Sequence, residues 1–197
     1  PWSRGLGERC ITFGVPRLTA AYSSVFQIFQ SPTEVVFVME TIHNARDIPL
    51  DGRPHLSSGL LQWDGNSRGH WEGDTLVVEV TNFNGKNWFD RAGNFHSDAL
   101  KLVERYSPIS PDGIRYEVTI EDPKTFTRPW TISMPLYRRL EANATVLDYP
   151  CIEFSEEFMY GQLRKQQLVK HWEGETMNVD ITRKVPPGDR LHDWYRR

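Results

Sequence analysis

A chain of 197 residues with 39% hydrophobic residues, 25% charged residues and a mean hydropathy of -0.54 fits one sizeable globular core. No apolar run approaches the roughly 18 residues that a bilayer-spanning helix requires. A net charge of -3 and a pI near 6.1 argue against nucleic acid as the main partner, because phosphate binding needs a basic surface.

The chain opens at Pro1 without a charged-then-apolar leader, which is expected of a processed or trimmed product. Residues 1–23 read as an extended segment. Its start, PWSRGLGERC, has too few apolar side chains to hold itself down. Two cysteines, Cys10 and Cys151, leave two readings open: a disulfide that ties this segment to the body, or two buried thiols.

From residue 24 the pattern is alternation with period two, broken by Gly, Pro, Asn and Asp clusters. SVFQIFQSPTEVVFVMETI predicts a hairpin with strands over 24–30 and 34–42, turning at Ser31-Pro32-Thr33. Further strands are expected over 75–83 and 99–106; in the latter, Leu100, Leu102, Glu104 and Tyr106 share a face. Between them, 84–97 is a long irregular insertion, a length often tied to function. SPDG turns into a strand over 114–122 with Ile114, Tyr116, Val118 and Ile120 on one face. TISMPLYRRL and TVLDYPC predict two more, the first at an edge or bulge because Pro135 cannot donate to a ladder. One short helix is expected near 155–165, with Ser155 as N-cap. Residues 185–197 read as a basic, solvated tail. The expected fold is mainly β: one domain over 24–184, an antiparallel barrel or sandwich of about eight to ten strands, lipocalin-like in general character.

HWEGDTLVVEVT, from His70, is echoed by HWEGETMNVDIT, from His171. Leu76, Val78 and Val80 align with Met177, Val179 and Ile181, so both phrases read as hairpins turning at Glu-Gly-Asp/Glu. The string Gly65-Asn66-Ser67-Arg68-Gly69 matches the nucleophile elbow formally, but a hairpin follows where that motif needs a helix; it reads as a glycine-rich connection.

Candidate chemistry falls in three places. In ETIHNARDIPLDGRPH, His43, Arg46, Asp47, Asp51, Arg53 and His55 gather around the Asp51-Gly52 turn; Arg suits carboxylate or phosphate, and His beside a carboxylate suits acid–base work. The same residues suit an internal salt-bridge lattice. Trp63, Trp71, Trp88 and Trp130 fall near turns, where flat faces could stack on a sugar or aromatic ligand, or simply plug the core. Near them are Asp90, His96, Glu104 and Asp122, and paired carboxylates beside Trp are what glycosidic chemistry requires. His43, His55 and His96 stand outside any zinc-binding spacing, and neither a metal nor a cofactor is expected.

DGRPH, SRGHWEGDTLVVEVTNF, HSDALKLVERY and IRYEVTIEDPKTFTRPW, with Cys10 in GERC and Cys151 in the YPC stretch, resemble a large, functionally uncharacterised family of exported bacterial proteins, over roughly residues 5 to 155. The resemblance implies a periplasmic or secreted location and a Cys10–Cys151 pairing, and brings no reaction with it. YPCIEFSEEFMYGQLRKQQ departs from the Glu-Gly-Asn-Tyr-like run expected after the cysteine, which puts a pocket lined by that run in doubt.

Two functions follow as expectations. The first is a non-catalytic protein that binds a small-molecule ligand or a protein partner, such as an accessory subunit on the periplasmic face of an electron-transfer or photosynthetic membrane complex. It would use Arg46, Arg53, Trp63, Trp88 and Trp130, with no membrane span of its own. The second is an acid–base enzyme acting on a small molecule or saccharide through His43, Asp51, His55, His96 and Glu104.

Overall fold

The chain divides into two compact units, Pro1–Phe154 and Ser155–Arg197. The computed structural model describes residues 10–12, 14–16, 25–88, 94–147 and 151–152, all within the first. The expected helix near 155–165, the second hairpin from His171, the tail from 185 and Asp90 lie outside the described residues.

Alternation becomes strand wherever one face can be buried. Strands β1 (Phe26–Gln30), β2 (Glu34–Met39) and β3 (Ala45–Pro49) form one antiparallel sheet in that order. Strands β4 (Asn66–Glu72), β5 (Thr75–Thr81), β6 (Lys101–Ser110), β7 (Gly113–Glu121) and β8 (Trp130–Tyr137) form a second, also in sequence order. The architecture is therefore mainly β and sandwich-like: two sheets, with no closed barrel among the described strands.

The first hairpin turns at Ser31 to Thr33, as its sequence predicts. Ser31 Oγ accepts the N–H groups of Thr33 and Glu34 at 3.2 and 3.1 Å. The β4–β5 hairpin turns through Gly73-Asp74, where Gly73 takes φ 59 at no steric cost. Pro135 lies on β8, an edge strand, in keeping with its missing N–H.

Three expectations are corrected. Gly65 to Gly69 is not a connection: Asn66 onward is strand β4. There the glycine at 69 is required, since a Cβ would stand 2.7 Å from Ile48 Cγ2 and 2.8 Å from Leu50 Cδ2. Strand β3 ends just before the Asp51-Gly52 turn, in a stretch not expected to form one. Thr145 to Leu147 forms no strand, and Leu147 is exposed while its N–H is taken by buried Glu40 at 3.2 Å.

The facing surfaces of the two sheets share one core. Val35, Phe37 and Ile48 from the smaller sheet meet Leu76, Val78, Val80, Leu102, Val118 and Ile120 from the larger. Phe37 and Tyr106 join the layers with ring centroids 5.2 Å apart. Cys10 and Cys151 form a disulfide with Cα atoms 5.6 Å apart. Beside it Thr12 and Val15 are buried, Val15 within the core.

Candidate functional site

At the middle of β6, Glu104 occupies an inward position, between Leu102 and Tyr106 on the face that packs against the smaller sheet. A carboxylate there must be matched, because an uncompensated buried charge is strongly unfavourable. Arg46 on β3 matches it. Its Nη1 donates to Glu104 Oε1 at 3.2 Å and its Nη2 to Oε2, a bidentate pair; its Nε donates to Ser67 Oγ at 3.0 Å. Tyr116 and Tyr106 donate their hydroxyls to Oε1 at 2.7 and 3.2 Å. Glu104 is 1% and Arg46 9% exposed, so the ion pair is buried.

The electrostatics follow. Burial alone would lower the Arg46 pKa, but Glu104 and the two tyrosines outweigh it and hold the guanidinium above its ordinary value. Burial first, then the Glu104 charge, push both tyrosines well above the usual phenol range. All five groups are bound to one another, and the carboxylate that glycosidic chemistry would pair with a second carboxylate is paired with Arg46.

The other candidates lie elsewhere. His55 Nδ1 faces Asn66 Oδ1 at 3.2 Å, and its Nε2 is 4.0 Å from Glu79 on the outer face of the larger sheet, opposite Glu104. Asp51 and Arg53 form an exposed pair, and hydrogen bonds from Arg53 lower the Asp51 pKa. His43 is exposed in the turn Thr41–His43. His96 is buried against Phe83, ring centroids 5.4 Å apart, with Nδ1 2.9 Å from Ser97 O. Asp122 accepts Ser97 N and Oγ, both at 2.6 Å, Thr125 Oγ1 at 2.9 Å and Lys124 N at 3.1 Å. Burial opposes ionisation of Asp122, but these bonds prevail and hold its pKa below the ordinary value. Among the described residues no three His, Cys, Asp or Glu side chains are grouped as metal ligands.

Of the tryptophans, Trp130 packs edge-on against Phe126 at 5.4 Å beside the core, and Trp63 is half-buried. Trp88 is 43% exposed and bridged to Phe95, itself 66% exposed. Residues 82–88 are stitched to 56–63: Asn82 Nδ2 donates to the carbonyls of Leu56, Ser57 and Leu60, and Asn87 Nδ2 to that of Trp63. Leu60 and Leu61, 56% and 46% exposed, therefore lie at the same end of the larger sheet as Trp88 and Phe95.

A cleft of about 290 Å³ opens between β3 and β4, with Arg46, Asp47, Asp64, Asn66, Ser67 and Arg68 in its lining. Asp64 is held at its end by Thr12 Oγ1 at 2.6 Å and Asn44 Nδ2 at 2.7 Å.

Sequence reasoning singled out Arg46 and Glu104 but did not join them, and assigned no role to Ser67, Tyr106, Tyr116, Asp64 or Arg68. One signal was present: a charge at Glu104 on the apolar face shared by Leu100, Leu102 and Tyr106. No family model, no curated protein and no solved structure matches the chain.

Proposed function

We propose that this chain is an exported, non-catalytic interaction protein that docks a protein partner through its loop end, as an accessory subunit on the periplasmic face of a membrane complex. The observation that carries the reading is four large apolar residues, Leu60, Leu61, Trp88 and Phe95, left exposed on segments joined by the Asn82 and Asn87 side chains. Aromatic residues are enriched in the buried centres of protein interfaces, and such patches mark docking sites. Two further observations support it. The titratable candidates engage separate partners on different faces, and the Arg46–Glu104 charges cancel inside the core. The Cys10–Cys151 disulfide fits an oxidising compartment, where such bonds persist. Among the described residues no helix is long and apolar enough to cross a membrane.

The test is co-purification from the periplasmic fraction of the source cell with the Trp88→Ser/Phe95→Ser double variant. Loss of the co-migrating protein with an unchanged melting temperature is expected. Undiminished co-migration would remove the loop end as the docking surface.

A further inference from the structure

Strands β3 and β4 advance side by side in the same direction. Asn44 bonds Asp64, Arg46 bonds Ser67, and Ile48 lies beside Gly69. They are the facing edges of two sheets, yet no ladder joins them. The alternation of antiparallel hydrogen bonding shows where their main chains point. Met39 N donates to Asn44 O and Leu50 N to Thr33 O, each at 2.8 Å, so even-numbered residues of this stretch bond β2. Ala45, Asp47 and Pro49 thus turn their carbonyls, and the first two their N–H groups, toward the cleft. The two-residue turn at Gly73-Asp74 sets the same alternation on β4, leaving Ser67 and Gly69 directed at the gap.

Each wall carries both signs of charge, but Arg46 is matched by Glu104 and Asp64 accepts from Thr12 and Asn44, which leaves Asp47 and Arg68 as the charges open to a ligand. Asp47 projects from β3, exposed, and feels Arg53 only at Coulombic range. Arg68 projects from β4, its Nη1 folded over Ser67 O at 2.7 Å and its Nε on Pro54 O at 3.0 Å. Both its bonds go to neutral carbonyls, and no carboxylate among the described residues forms an ion pair with it. A simple anion entering the cleft meets Asp47 and Asp64, and a simple cation meets Arg68 and Arg46. A small molecule carrying both charges satisfies both walls. The volume of about 290 Å³ lies just under the range of ligand pockets, about 300–1,000 Å³, and suits only a small ligand.

We propose that this cleft binds a short zwitterionic peptide, with its carboxylate at Arg68, its ammonium at Asp47 and its amide on the open main chain of β3. The inference goes beyond the docking reading above and adds a second, independent site. Calorimetric titration with L-alanyl-L-alanine tests it, beside the N-acetylated dipeptide, which lacks the ammonium, and the C-terminal amide, which lacks the carboxylate. Saturable binding of the parent is expected, with each blocked form weaker by about tenfold, the loss of one charge-assisted contact. Arg68→Gln should abolish discrimination against the amide, and Asp47→Asn discrimination against the acetylated form. Absence of saturable heat, or blocked forms binding as tightly as the parent, overturns the proposal. The blocked peptides ask the question of the unaltered protein, so a variant that folds poorly does not spare it. A negative titration with intact loop-end co-purification would sink the cleft site alone.

Discussion

Arg46 and Asp47 are consecutive residues of one strand and serve opposite purposes. Arg46 points into the sandwich, where Glu104, Ser67 and two tyrosines surround it. Asp47 points out at the seam, where water supplies what the protein does not. The period of two in a strand is what separates them. A buried charge must be matched in full by its neighbours, which leaves nothing for a ligand, whereas a charge at an open edge stays available. The inner network is consequently read as architecture and the seam as a place where something binds.

Unmatching the inner pair carries the largest expected cost. Glu104→Gln or Arg46→Met should each destabilise the fold by about 3–5 kcal/mol in urea unfolding, because the remaining charge is buried alone. The double variant Arg46→Met/Glu104→Gln should recover part of that loss, because no charge is then left buried alone. Two single losses that simply add in the double-mutant cycle would show the groups acting independently and refute the closed network. Next in size is Gly69→Ala. The added methyl meets Ile48 and Leu50 at 2.7 and 2.8 Å and should cost about 1–3 kcal/mol by forcing the layers apart; no loss of stability would mean that the layers yield freely there.

How much of this was legible depended on whether a strand advertised its buried face. IRYEVTIE places Tyr116, Val118 and Ile120 at alternate positions, and strand β7 was readable directly. ARDIP hides the same alternation, because its inward positions are Arg46 and Ile48 and the arginine reads as surface. The glycines of Gly65 to Gly69 mimic a loop, although at 69 the residue is small because a facing layer occupies its space. TVLDYPC looks like a strand but lacks a partner over Thr145 to Leu147, and propensity without pairing does not make sheet. The join between Arg46 and Glu104 spans 58 residues, and no local pattern encodes which arginine a lone inward carboxylate will meet.

Asp122 sharpens the contrast through pH. Its pKa is held below the ordinary 3.8 by bonds from Ser97, Thr125 and Lys124, so the unfolded chain takes up this proton first as pH falls. The stabilisation is whole above the unfolded value and disappears as pH falls through the folded one. Asp122→Asn should therefore flatten the stability profile below about pH 4, and the lost hydrogen bonds should cost about 1–3 kcal/mol at neutral pH. An unchanged acid limb in denaturation at a series of pH values would show that another carboxylate governs it.

The smallest effect is expected at the seam, and its smallness is the point. Asp47→Asn should leave unfolding free energy within about 0.5 kcal/mol, since the side chain is exposed and no internal bond depends on it. Arg68→Gln should lose less than about 1 kcal/mol, because its acceptors, Pro54 O and Ser67 O, can be served by an amide or by water. Measured beside Glu104→Gln under the same conditions, these variants test the division between matched interior charge and open edge charge. If Arg68→Gln proves as costly as Glu104→Gln, then the guanidinium is holding the edge of β4 in place, and the seam belongs with the scaffold.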